Sequence, residues 1–227
     1  MLDRMIRGRY LIAGVLDESR MSTVYLANDT ARGGRQVAVK ILNNAALSRR
    51  MEDIIRFRNE AVAVSRMVHP NIMRILEVGE DTGEQYLVME LVQCDSLKER
   101  SGEVRALAVR ARVALLAQVV RALHEAHHQG IIHRDVNPSA ILLVNTRLPD
   151  QEQPAVLLTG FGLGQVRELS SIEEEEQITG TFGYMSPEQC GILKKSIDAR
   201  SDLYSVGVVF YELLTGHPPF RGESVRA

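Results

Sequence analysis

The hydrophobic period of this chain changes once, and that change restricts what it can fold into. Up to about Val92 the apolar residues fall into short runs bounded by turn signals. Tyr10-Leu11-Ile12-Ala13, Thr23-Val24-Tyr25-Leu26-Ala27 and Gln36-Val37-Ala38-Val39-Lys40-Ile41-Leu42 read as strands, with a Gly33-Gly34 turn before the third. Residues 72–78 and 85–91 read as two more, joined by Asp81-Thr82-Gly83-Glu84. One helix interrupts them at residues 52–67, with Ile54, Ile55, Val62, Val64 and Met67 at helical spacing and Pro70-Asn71 as its stop. From residue 104 to 128 the period is helical, with Leu107, Val113, Leu116, Val119, Val120 and Leu123 as the apolar set. Short strands follow around residues 141–143 and 156–158, and a hydrophobic helix spans residues 201–215, closed by Gly216. The expectation is an α+β chain with a strand-rich lobe at 1–92 and a helix-rich lobe at 93–227.

A length of 227 residues allows one large domain or two small lobes, and 45% hydrophobic with 25% charged residues is ordinary globular composition. The net charge of −2 gives no electrostatic basis for nucleic-acid binding. Cys94 and Cys190 are far apart, which argues against a disulfide framework and for a reducing, cytoplasmic setting. The first ten residues lack the apolar run of a signal peptide. The longest apolar stretch, residues 206–214, is too short to cross a bilayer.

Chemistry concentrates in His133-Arg134-Asp135-Val136-Asn137-Pro138-Ser139-Ala140-Ile141-Leu142 and in Gly160-Phe161-Gly162. These resemble the catalytic loop H-R-D-L-x-x-x-N and the D-F-G turn of eukaryotic-type Ser/Thr protein kinases. Other parts arrive in family order: Val37-Ala38-Val39-Lys40, Glu60, Ser186-Pro187-Glu188 and Asp202. The resemblance runs from about Arg9 to Gly222 and implies the two-lobed kinase-like fold, with a second lobe that lacks its last helices.

The resemblance implies ATP as cofactor. Val24, Ala38, Met89 and Leu142 match the apolar lining of the adenine site. Lys40 matches the phosphate-contacting lysine and Glu60 its ion-pair partner, while Asp135 matches the catalytic aspartate. The departures fall on the same chemistry. Ala140 stands where the family has its metal-binding asparagine and Gly160 where it has its metal-binding aspartate, so magnesium is not expected to bind as in the family. Asn137 replaces a lysine near the γ-phosphate. Asp17, Ser19 and Ser22 occupy the three glycine positions of the phosphate loop, where Asp17 and Glu18 bring negative charge and Arg20 is the one basic residue. A loss of roughly 4 kcal/mol of transition-state stabilisation would slow phosphotransfer on the order of a thousandfold.

These residues leave three readings open. One is a pseudokinase acting through a protein partner, with ATP held weakly and without metal, or not at all. A second is an active Ser/Thr kinase of unusual metal geometry, using Lys40, Glu60 and Asp135 with Asn137 or Ser139 in place of a metal ligand. A third is a non-functional fragment. Val64, Ile75, His133 and Phe161 match residues that stack through the family's lobes, with Asp202 as anchor. Glu188 lacks the arginine the family supplies further on, so it is expected to be exposed, protonated or paired otherwise. The helix at 201–215 is expected to expose apolar surface. Ser170, Ser171, Thr179, Thr181 and the acidic run 173–176 fall in the segment matching the activation loop, the acidic run reading as a solvated face. His124, His127 and His128 read as a helix C-terminus rather than a metal site, and Cys94 as a small residue beside the pocket.

Overall fold

Turn chemistry sets the first strands. The computed structural model describes residues 4–19, 22–43, 51–144, 155–161 and 182–220, and these divide into two units. The first comprises the described residues up to Val68 together with Met73–Val92. Its six strands are β1 (Met5–Ile6), β2 (Tyr10–Glu18), β3 (Ser22–Asp29), β4 (Arg35–Leu42), β5 (Ile75–Asp81) and β6 (Glu84–Glu90). They form one antiparallel sheet in the order β1-β2-β3-β4-β6-β5. Asp81 pairs with Glu84, so Thr82 and Gly83 make a two-residue hairpin loop with φ of 49° and 82°. Both are left-handed, which matches the twist of the strands they join. Helix α1 (Met51–Ser65) packs on β5.

One face of this sheet is closed by a polar clamp around a hydrophobic core. Tyr10, Tyr25, Val37, Val39, Ile41, Tyr86 and Val88 are buried together. The Tyr10 and Tyr86 hydroxyls donate to the two oxygens of Glu77, each at 2.7 Å. Arg9 donates to Glu77 at 3.0 Å and makes a two-pronged pair with Asp29 at 2.7 Å on each side. Glu77 lies on β5, the far edge of the sheet from β2, so the sheet must curl for Tyr10 to reach it. Burial pushes both tyrosine hydroxyls up, and the Glu77 carboxylate they donate to raises the cost of ionising them further.

The second unit comprises His69–Ile72 and the described residues from Gln93 onward. Its elements are β7 (Cys94–Ser96), α2 (Ser101–Ala106), α3 (Val109–His128), β8 (Ile141–Val144), β9 (Val156–Leu158), a 3-10 turn (Phe182–Tyr184) and α4 (Ala199–Thr215). Strands β7, β8 and β9 form a small antiparallel sheet, and α3 packs on α4 and β9. Asn71 ties the segment 69–72 to this unit. Its amide donates to Val156 O (2.8 Å) and Gln118 Oε1 (3.1 Å), and its carbonyl accepts from Leu158 N (2.8 Å).

Two boundaries and two buried faces differ from the sequence reading. The strand expected from residue 72 begins at Ile75, and Ile72 instead bridges to Leu158. The single helix expected over 104–128 is two, because Leu107 (ψ 155°) and Ala108 (ψ 147°) are both extended. The core stripe of α3 is Leu115, Leu116, Val119, Ala122, Leu123 and Ala126, which leaves Val113 and Val120 exposed. On α1 the buried residues are Phe57, Ala61 and Val64, and Ile55 is exposed.

Helix α4 is capped at both ends. Asp198 accepts from Arg200 N at 2.9 Å, and Gly216 closes the helix with φ 88°. Apolar exposure is present on it as expected, at Leu203 (48%), Tyr211 (41%) and Leu214 (44%). No described helix is long and apolar enough to cross a membrane.

Candidate functional site

The loop that carries Asp135 begins where α3 ends. Gly130 takes a left-handed φ of 74°, and Ile131 N donates back to Ala126 O at 2.9 Å. The chain then runs past a fully buried carboxylate, Asp202 of α4. Asp202 accepts from the backbone N–H of His133 (2.9 Å) and of Arg134 (2.8 Å) and from His127 Nε2 (2.7 Å). Arg134 is held at φ 65°, a left-handed conformation unusual for a side-chain-bearing residue. Gln189 secures it from the other side by donating to Arg134 O at 2.7 Å.

His133 is buried and organises the rest. Its Nε2 donates to Thr159 O at 2.9 Å, and its Nδ1 accepts from Asp135 N at 3.2 Å, which fixes the tautomer. Its ring packs edge-on against Phe161 with centroids 4.5 Å apart. The two second-unit members of the expected stack, His133 and Phe161, therefore touch, and Asp202 anchors them as expected.

Asn137 has a role that its sequence position did not disclose. Its Nδ2 donates to Asp135 Oδ1 (2.9 Å) and to Asp135 O (3.0 Å). Its Oδ1 accepts from Ser139 N (2.9 Å) and Ala140 N (3.3 Å). This buried side chain thus spans the loop and occupies one oxygen of the Asp135 carboxylate. A polar residue two positions after an aspartate is a weak signal for such a side-chain turn.

The two altered metal positions face each other. Ala140 is buried, and a Cβ built on Gly160 would lie 3.9 Å from the Ala140 Cβ and 3.6 Å from His133 Cε1. A methyl group and a hydrogen stand where two oxygen ligands would be needed, so these residues do not fit a magnesium ion. No group of three or more His, Cys, Asp or Glu side chains among the described residues is arranged to hold a metal. His127 is engaged by Asp202.

The other expected site residues lie in the first unit, except Leu142, which is half-buried on β8 of the second. Val24 on β3 pairs with Lys40 on β4, and Ala38 pairs with Met89 on β6. Directly paired residues project to the same side of a sheet, and so do residues two apart on one strand. Val24, Ala38, Lys40 and Met89 therefore share one face, the face opposite Val37, Val39 and Ile41. Ala38 and Met89 are buried there, while Val24 and Lys40 are half-buried. Glu60 is half-buried on α1, one turn before Val64. At the phosphate-loop positions, Ser19 N and Oγ donate to Ser22 O (both 2.9 Å), and Ser22 N donates to Ser19 Oγ at 3.1 Å. Both serine side chains are engaged with each other, and Asp17 lies on β2 opposite Val24.

Glu188 is paired otherwise than by arginine. Ser201 Oγ donates to it at 2.5 Å, and that bond holds its carboxyl below the usual range. Cys94 is half-buried on β7, and burial pushes its thiol up, away from nucleophilic character. The calls on Arg20, Gly162, Ser170, Ser171, 173–176, Thr179 and Thr181 lie outside the described residues.

Comparison with known proteins places these features. The family profile described as protein kinase domain matches residues 13–227. The serine/threonine-protein kinase PrkC of Bacillus subtilis is 36% identical over 226 residues, covering 99% of this chain and 33% of that protein. The serine/threonine-protein kinase PknL of Mycobacterium bovis is 38% identical over 220 residues, covering 97% of this chain and 52% of that protein. The crystal structure of the Mycobacterium tuberculosis PknI kinase domain superposes with a TM-score of 0.75 at 26% identity, covering 97% of this chain and 79% of that one. The chain spans between about a third and a half of the length of these full-length relatives.

Proposed function

The chain belongs to the protein kinase domain family, and from that premise we propose that it is a pseudokinase that acts by binding a protein partner, holding ATP weakly and without magnesium. The observation that carries this reading is the pair Ala140 and Gly160, adjacent in the fold and both without a ligand atom. The engagement of Asp135 by Asn137 adds to it, because an amide donor now sits where the family's lysine would bring a full positive charge. The scaffold of the loop is fully built around Asp202, and a binding protein would need that scaffold whether or not phosphate is transferred. The shared sheet face of Val24, Ala38, Lys40 and Met89 offers apolar surface and one cation, which suits a purine with a phosphate tail.

Thermal unfolding alone, with ATP, and with ATP plus magnesium tests the proposal, since a ligand that binds only the folded state raises the midpoint. ATP alone should raise it, magnesium should add nothing, and no phosphate should appear on protein substrates. The absence of any cooperative transition would favour the fragment reading.

A second reading, an active Ser/Thr kinase, draws on the ordered Asp135 loop and the retained Lys40 and Glu60. It predicts phosphotransfer that is abolished by Asp135→Ala and a midpoint shift that requires magnesium.

A further inference from the structure

Three histidines that stand close in the sequence part company on α3. His127 is engaged by Asp202 at 2.7 Å, whereas His124 and His128 are exposed. The chain has six histidines, and the other three also have ring-nitrogen partners. His133 bonds Thr159 O and Asp135 N, His69 Nδ1 accepts from Asn71 N at 3.1 Å, and His217 Nδ1 lies 3.1 Å from Pro218 O. His124 and His128 make no hydrogen bond or ion pair among the described residues, so their ring nitrogens are available as ligands.

Residues four apart on a helix lie one above the other, with Cβ atoms roughly 5–6 Å apart. Two imidazoles at that spacing can reach one ion at about 2.0–2.1 Å each. The run His124-Glu125-Ala126-His127-His128 has the H-E-x-x-H spacing with which a helix presents two imidazoles to zinc. His128 is the last residue of α3, where the negative end of the helix dipole favours a cation. Arg121 and Glu125, one turn apart on the same helix, offset each other's charge. Imidazole nitrogen suits zinc and copper, and magnesium prefers oxygen. Peptide hydrolysis does not follow from the spacing. Glu125 accepts from Gln129 at 2.6 Å, and no third protein ligand joins the pair among the described residues.

We propose that His124 and His128 hold a zinc ion on the outer face of α3, and that the ion clamps the last turn of that helix. Water fills the remaining coordination positions. The clamped turn includes His127, which bonds Asp202, and Ala126, whose carbonyl accepts from Ile131 N at the start of the Asp135 loop. The site is independent of the pseudokinase reading, because it uses neither Ala140 nor Gly160.

Isothermal titration of the whole chain with zinc chloride, paired with hydrogen exchange, tests it. Zinc should bind one to one, and magnesium should not compete. His124→Ala and His128→Ala should each weaken zinc binding at least about tenfold. Both side chains are exposed, so without zinc these variants should melt as the parent does. His217→Ala and Cys94→Ser should leave the affinity unchanged. The amides of Gln129 and Ile131, which bond back into the last turn, should exchange more slowly with zinc in the parent and not in His124→Ala. Failure of zinc to saturate by about 1 mM would overturn the proposal. So would undiminished affinity in the double variant, or zinc binding that leaves exchange at those two amides unchanged.

Discussion

Asp202 is the residue on which the loop geometry depends. Its carboxylate satisfies two backbone donors and His127 while fully buried. Asp202→Ala would strand those donors, at a cost of about 3–5 kcal/mol. Denaturant unfolding should show this as a lower midpoint, with Asp202→Asn losing less because one acceptor oxygen survives. Asn137→Ala should cost about 1–2 kcal/mol by freeing the loop amides and Asp135, measurable in the same way. The sequence disclosed Asp202 through its family position. At Asn137 it disclosed only the loss of a cation, because the partners of a short amide depend on how the loop closes, and closure is a tertiary event.

The strands were legible from their turns, as the Thr82-Gly83 loop illustrates. The break between α2 and α3 was not, because no glycine or proline lies between Glu103 and Gln129 and the apolar period continues across it. What separates the two helices is that each buries a different face, α2 through Val104 alone and α3 through its own stripe. Between β5 and β6, a Cβ added at Gly79 would lie 2.4 Å from the Tyr86 hydroxyl, which is itself tied to Glu77. Gly79→Ala should therefore destabilise by about 1–3 kcal/mol, read as a lower melting temperature. Asp29 gives this sheet a pH dependence. The Arg9 guanidinium holds its carboxyl below the usual range. The resulting stability is fully present above the unfolded value, about pH 4, and is lost as pH falls through the lowered folded value. Melting temperatures of wild type and Asp29→Asn should differ most above about pH 4 and converge as pH falls through the lowered folded value.

At the scale of the molecule, family membership and the proposed loss of metal chemistry rest on different residues. The backbone pattern is that of a kinase domain, and the pseudokinase reading rests on Ala140 and Gly160. Restoring the family's residues there is a direct experiment. In Ala140→Asn combined with Gly160→Asp, the new Cβ at Gly160 meets only ordinary contacts, although φ 96° makes it strained. The double variant should show an ATP-induced midpoint shift that increases with magnesium, as the parent should not.

The clamp of the first unit bears on how far a working piece of this protein extends. The family profile itself begins at residue 13. Arg9 and Tyr10, which fasten the two margins of the sheet through Asp29 and Glu77, precede that point. A recombinant version trimmed to the bounds of that profile would discard its own clasp, leaving Glu77 and Asp29 without their Arg9 partner and exposing a new sheet edge on β2 prone to self-association.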